Sequence, residues 1–407
     1  MIVQHRPPLH LTYCLNIHPG ESWAENFAAI REKAVAVQQR VGPNQWFGLG
    51  LRIAQQAADE LTASADLRAE ALEFFSAHQL YPFSINGFPY GRFHAGPVKE
   101  KVYAPDWRTS DRLHYTLQLA DLLAGWLPEE VDGSISTVPC SFKPWIQTSA
   151  DMDDLAENLA SAVAYLAAVH EDTGREIHLG LEPEPDCYLE TTAETISFFK
   201  DVLFKSGTVE LARLRRCYRS EAEELMRRYL GVCFDTCHVA LQYEDLVTSL
   251  RAYKAEGIRI SKVQLSAALA APSNAESWEA LRKFVEPVYL HQVKGRAASG
   301  EYFSWFDLPS ALEELPKHPE VEEVRVHFHV PLFAQLAAPL QSTVSALTPE
   351  FFQELRQGAT SHVEIETYTF DVLPAEIHPG DVVESVAREY EWVLSQMART
   401  TSRLPPS

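Results

Sequence analysis

Runs rich in Val, Ile, Leu and aromatic residues recur along the chain and are apolar at consecutive rather than alternate positions. These are LTYCLNIHP, WFGLGLRI, LYPFSINGF, SISTVPC, IHLGLEPEP, GVCFDTCHV, IRISKVQLS, VRVHFHVPL and HVEIETYTF. Such runs read as strands covered on both faces, and the longer stretches between them carry helical periodicity. ESWAENFAAIREKAVAVQQRVG has a Ser and acidic residues at its start and Gly at its end, and DMDDLAENLASAVAYLAAVHEDTG opens on acids that suit a helix N-terminus. This β/α alternation predicts an α/β protein, a (β/α)8 TIM barrel in one domain over residues 1–397. A doubly wound sheet loses support because no glycine-rich phosphate loop follows the first strand.

Nine runs compete for eight barrel places. From Gln264 to Glu366 is 102 residues, against about 30–40 for one repeat of an ordinary barrel. An insertion is therefore expected at about 266–323, with the eighth strand either VRVHFHVPL or HVEIETYTF. The polar, Pro-containing end, 398–407, is expected to be a flexible tail.

Chemically capable residues fall at the C-terminal ends of these runs, where a barrel builds its active site: Asn16, His18, Arg52, Asn86, Cys140, Glu182, Asp235, His238, Gln264, His329 and Glu366. The strongest local signal is FDTCH, in which Asp235 and His238 can face one cavity. A divalent cation needs such oxygen and nitrogen donors converging from several strands, and Glu182 and Glu366 offer two further carboxylates. Taken singly, each carboxylate has the alternative of an ion pair at the barrel rim, and His238 that of a structural imidazole; it is their joint placement that points to a shared site.

Composition narrows the function. The 407 residues are 46% hydrophobic, ample for a large core, and their formal charge of −21 opposes duplex nucleic acid and anionic membranes. Six scattered cysteines without a CxxC pair suit reduced thiols, and with no secretory segment and no apolar run of about 18 residues the expectation is a soluble, cytoplasmic protein.

The pieces LGLEPEP, FDTCH, KVQLS and IET, in this order, resemble the xylose-isomerase-like TIM barrels, which include sugar isomerases, sugar epimerases and abasic-site endonucleases. The resemblance implies that Glu182, Asp235 and Glu366 hold a divalent metal ion (Mn, Mg, Co or Zn) and that His238 contacts substrate or a second metal. Gln264 departs from the pattern, which would place a histidine ligand there; His291 or His329 from the late insertion are the candidate replacements. Gln264, His18, Arg52 and Lys143 remain candidates for substrate contact. Over most of the chain, LTYCLNIHPGESW, GLEPEPDC, YLHQVKGR, VHFHVPLF and VEIETYTFDVLP resemble the EboE-type metabolite-traffic proteins. That resemblance implies a role beside a prenyltransferase in a bacterial gene cluster, handling a small metabolite.

Three functions follow as expectations. The first is a metal-dependent isomerase or epimerase of a hydroxy-carbonyl compound, with Glu182 and Glu366 as catalytic residues that move a proton between faces of one carbon. The second is a metabolite-binding or carrier protein that has kept the barrel without the chemistry. The third, an abasic-site endonuclease, is opposed by the net charge.

Overall fold

A computed structural model describes residues 1–91 and 99–401. A short strand β1 (Ile2–His5) pairs antiparallel with β2 (Pro8–Tyr13). The barrel is formed by β2 with β3 (Phe47–Arg52), β4 (Leu80–Asn86), β5 (Gly133–Thr137), β6 (Ile177–Leu181), β7 (Leu230–Asp235), β8 (Arg259–Leu265) and a last strand, His362–Ile365. The last strand lies between β2 and β8, and all neighbours within this set are parallel. A parallel bridge between Cys14 and Gly50 joins the first and second of these strands and closes the cylinder. Closure demands glycine: a Cβ on Gly50 would stand 2.0 Å from Glu364 Oε1 and 2.8 Å from the Tyr13 carbonyl.

The helices that cover the barrel start and stop where their sequences direct. Ser22 and Glu25 form a capping box at the head of the first helical segment, and the covering helix Ser149–Thr173 begins on a capping box of Thr148 and Asp151 and ends at Gly174 with φ 73°. Its Leu155, Leu159, Val163 and Leu166 are buried against the barrel at spacings of three and four residues. The last helix, Val382–Thr401, runs into the stretch expected to be a flexible tail; residues 402–407 lie outside the described residues.

The ninth run belongs to the insertion. Between β8 and the last barrel strand lie β9 (Leu269–Pro272), β10 (Val293–Ala297), β11 (Tyr302–Trp305), β12 (Val321–Val326) and β13 (Gln341–Ser342). They form a separate antiparallel sheet in the order β11-β10-β12-β9-β13. The final barrel strand, His362–Ile365, is β14. The accessory sheet thus extends beyond the expected 266–323, and VRVHFHVPL divides: Val324–Val326 pair within it, and the following residues leave the ladder toward the barrel mouth. Tyr243 fastens the sheet to the barrel. Its ring lies between the guanidinium groups of Arg296 and Arg325, 4.7 and 4.1 Å from the centroid, and its hydroxyl donates to the carbonyls of Lys294 and Glu323.

Charge is also buried inside the cylinder. Lys262 on β8 and Glu364 on β14 are fully buried and paired at 2.6 Å, with Ser84 Oγ 3.1 Å from the ammonium. At the opposite end from the strand C-termini, Asp132 receives Arg259 at 2.8 Å, His178 at 3.1 Å and Ser361 at 3.1 Å, tying β6, β8 and β14 together. Among the described residues no helix is long and apolar enough to cross a membrane.

Candidate metal centre

Side chains alternate along a strand, so Glu364 and Glu366, like Lys262 and Gln264, follow one another up the barrel interior. One step above the Lys262–Glu364 pair, Glu182, Asp235 and Glu366 close on each other: a carboxylate oxygen from each lies within 4.8 Å of the other two. All three are buried. Asp235 accepts hydrogen bonds on Oδ1 from Ser266 Oγ (2.7 Å) and from the backbone of His238 (3.0 Å), while Glu366 Oε1 accepts from Asn16 (2.8 Å) and Asn86 (3.0 Å). Glu182 Oε2 and Asp235 Oδ2 have no hydrogen-bond partner among the described residues.

Burial and mutual repulsion push Glu182 and Glu366 well above the usual carboxylate range. Burial opposes ionisation of Asp235 too, but the neighbouring His238 and His329 hold it below its ordinary value. Three crowded, buried carboxylates, two of them with an oxygen that has no hydrogen-bond partner among the described residues, are an arrangement that a bound cation makes favourable.

The nitrogen donors come from two directions. His238 follows Asp235 by one helical turn, and His329 descends from the insertion after β12. Asp235, His238 and His329 form a second group within 4.8 Å, and Cys237, His327 and His329 a third. His329 Nδ1 donates to the Glu366 carbonyl (2.8 Å), which leaves Nε2 as a lone pair, buried and without a hydrogen-bond partner. This is the arrangement of a histidine prepared to ligate, its other nitrogen held by a carbonyl. Burial lowers its pKa to about 4, which keeps the ring neutral.

The other expected residues are distributed differently. Gln264 lies in the interior with its amide oxygen accepting from Cys233 Sγ (2.9 Å). His291 has both ring nitrogens engaged, by the His327 carbonyl (2.7 Å) and Glu286 (2.9 Å), and is in none of the three groups. Arg52 is buried but bonded to the carbonyls of Gly20 and Gly91 and to Glu21, so it braces loops at the mouth. His18 pairs with the Tyr13 hydroxyl (3.0 Å), and Lys143 is half-exposed between Glu190 and Glu194, both at 2.9 Å. Neither lines the pocket above the carboxylates.

That pocket has a cavity volume of about 50 Å³ and is lined by Asn16, Asn86, Glu182, Glu184, His238, His327 and Glu366 on its polar side and by Phe88, Pro89, Val102 and Tyr368. Glu184 stands between Pro183 and Pro185, beyond the end of β6, and the chain turns there so that Glu184 lines the pocket, buried, with Oε1 accepting from Tyr103 (3.3 Å) and Oε2 without a hydrogen-bond partner among the described residues. Burial raises it to about 8.

No protein-family model matches the chain, and no curated protein matches it. Solved structures do. A D-tagatose 3-epimerase-like protein aligns over 98% of this chain and 100% of its own, with TM-score 0.50 and 10% identity. An L-ribulose 3-epimerase aligns over 98% and 99% (TM-score 0.48, 10% identity), and an IolI protein with a bound zinc atom over 96% and 99% (TM-score 0.48, 10% identity). At such identities the likeness concerns the fold alone, and this chain is an α/β barrel carrying a large insertion late in the barrel.

Proposed function

We propose that the protein binds a divalent metal ion through Glu182, Asp235, His329 and Glu366 and acts on a small hydroxylated carbonyl compound as an isomerase or epimerase. The observation that carries this reading is the set of buried, unpartnered ligand atoms, Glu182 Oε2, Asp235 Oδ2 and His329 Nε2, at the strand ends. The donor set is three carboxylates to one imidazole, which suits Mn, Mg, Co or Zn. Where the expected histidine is replaced by Gln264, His329 supplies imidazole from the insertion.

A bound divalent ion would supply Lewis-acid polarisation of a carbonyl and its adjacent hydroxyl. The chain supplies the rest. Glu182 and Glu366 follow directly on β6 and β14, with β7 and β8 between those strands in the barrel order, so they address a carbon between them from two sides and can remove and return its proton. Asn16 and Asn86 fix Glu366 by two donated hydrogen bonds. Glu184 and His238 face substrate hydroxyls. Phe88, Pro89, Val102 and Tyr368 provide an apolar wall, which favours a metabolite with a prenyl or aromatic portion over a bare sugar. The resemblance to EboE-type proteins supports a cytoplasmic, gene-cluster setting with a prenyltransferase nearby.

In D2O with Mn2+, a panel of ketoses and prenylated hydroxy-ketones should include a compound that gains deuterium at the carbon next to its carbonyl. Glu182→Gln and Glu366→Gln should slow that exchange by about 10²–10⁴-fold. A metal-loaded protein that binds members of the panel and exchanges none of them would replace the enzyme by a carrier.

A further inference from the structure

The insertion does more than deliver His329. His238 Nε2 and His327 Nε2 lie 3.1 Å apart. His238 Nδ1 is 3.1 Å from the carbonyl of Pro183, which only accepts, so Nδ1 carries the hydrogen. His327 Nδ1 is 2.7 Å from Gln292 Oε1. The orientation of that amide is itself fixed, because Gln292 Nε2 lies 3.2 Å from the Pro185 carbonyl, again an acceptor only, and 2.9 Å from the Tyr103 hydroxyl. Both Nδ1 atoms therefore donate, and the two rings present their Nε2 atoms to one another, with the Tyr368 hydroxyl 3.4 Å from that of His327.

Two lone pairs at 3.1 Å repel unless positive charge, a proton or a metal ion, is shared between them. A tetrahedral cation with nitrogen ligands at ordinary bond lengths holds them about 3.3 Å apart, close to the distance observed. The backbone also brings Gln292 to this position. Its carbonyl accepts from His327 N at 2.8 Å, one step beyond the β10–β12 ladder, so register places the two side chains together. Gln292 is fully buried and grips the barrel's Glu-Pro-Glu-Pro turn on its other side.

We infer that Gln292 is a positioning residue: it locks His327 as the Nδ1–H tautomer, so that the insertion and the barrel jointly aim a pair of imidazole nitrogens, His327 and His238, at a cation in the pocket. This rests on the proposal that the pocket holds a divalent ion, and the test separates the two.

Histidine-labelled full-length protein, metal-free, is examined by long-range ring proton–nitrogen correlation. His327 should show a protonated Nδ1 and a bare Nε2. Gln292→Leu should redistribute it toward the other tautomer, and Gln292→Glu, which keeps an acceptor there, should retain the original. Zinc titrated into the same samples should bind about 10–100-fold more weakly to Gln292→Leu than to Gln292→Glu. A protonated Nε2 on His327 in the unaltered protein overturns the inference without any variant, as does an unchanged tautomer or unchanged zinc affinity in folded Gln292→Leu. Because the ring signals are read without metal, a protein that binds no zinc contradicts the proposed function while the tautomers still decide the role of Gln292.

Discussion

Replacing Lys262 by Met is expected to lower the unfolding free energy by about 3–5 kcal/mol, measured by urea denaturation, because it strands a charged Glu364 inside the barrel. Both partners are fully buried, and among the described residues their pairing at 2.6 Å is supplemented by Ser84. Forming such a pair costs desolvation on both sides, so its net contribution is small, but removing one member leaves the other uncompensated. The double variant Lys262→Met with Glu364→Leu should recover most of the loss. If Lys262→Met alone is nearly neutral, the ammonium is not the counter-ion of Glu364. The pair sits directly beneath the Glu182–Asp235–Glu366 layer, and attraction to Lys262 acts against the repulsion that raises Glu182. Its loss should therefore also show in the site above.

The second large effect is a shift of the stability optimum on metal binding. In the metal-free protein burial holds Glu184 at about 8 and Glu389 at about 7 and raises Glu182 and Glu366 as well. A carboxyl raised on folding is neutral in both states below about 4.5, and above that the unfolded chain ionises first. Stability is thus lost as pH rises from about 4.5 toward 8. Burial places His10 and His178 at about 3 and His329 at about 4, and these act in the opposite sense. Unfolded histidine gains its proton near 6.5, so stability from this group is present above 6.5 and is lost as pH falls toward 3. The metal-free optimum accordingly lies between about 4.5 and 6.5.

Divalent ion in excess should move that optimum upward, since the ligating carboxylates are then needed ionised. At 100 times the dissociation constant the gain is about 2.7 kcal/mol, and it should be greater at pH 8 than at pH 5.5. Thermal unfolding across this range with Mn2+ and with a chelator measures it. A metal-free optimum near pH 8 that divalent ions leave unmoved would contradict the electrostatics described for the site.

Much of this was legible in the sequence for a definite reason. Consecutive apolar positions mark strands buried on both faces, and each of the eight barrel strands overlaps one of the runs so marked, although the first starts three residues ahead of its run, at Pro8, and β5 and β7 start one residue ahead of theirs. Glu182, Asp235 and Glu366 were visible because each stands at the end of such a run, and one strand end lies near the others in a closed barrel. The insertion blurs this logic. VRVHFHVPL has the composition of a barrel strand, yet its first half pairs antiparallel in the accessory sheet, and its second half reaches the site as irregular chain. Only the three-dimensional course of the chain brings His329 to Asp235. Glu184 lies between Pro183 and Pro185, past the end of the strand, where strand alternation gives no direction for its side chain; the turn returns it to the cavity. Gln292 and Tyr103 carried no signal, since their part lies wholly in the direction of hydrogen bonds between segments far apart in sequence.

The central claim is that the buried carboxylates and His329 form a cation site, and metal content tests it most directly. Protein purified without chelator, beside Asp235→Ala and Glu366→Ala, is subjected to elemental analysis after its folding has been verified by circular dichroism. The account predicts bound divalent ion in the unaltered protein and its loss from both variants. Folded, unaltered protein that holds no divalent ion, even after dialysis against Mn2+ or Zn2+, would contradict it and leave a metabolite-binding barrel.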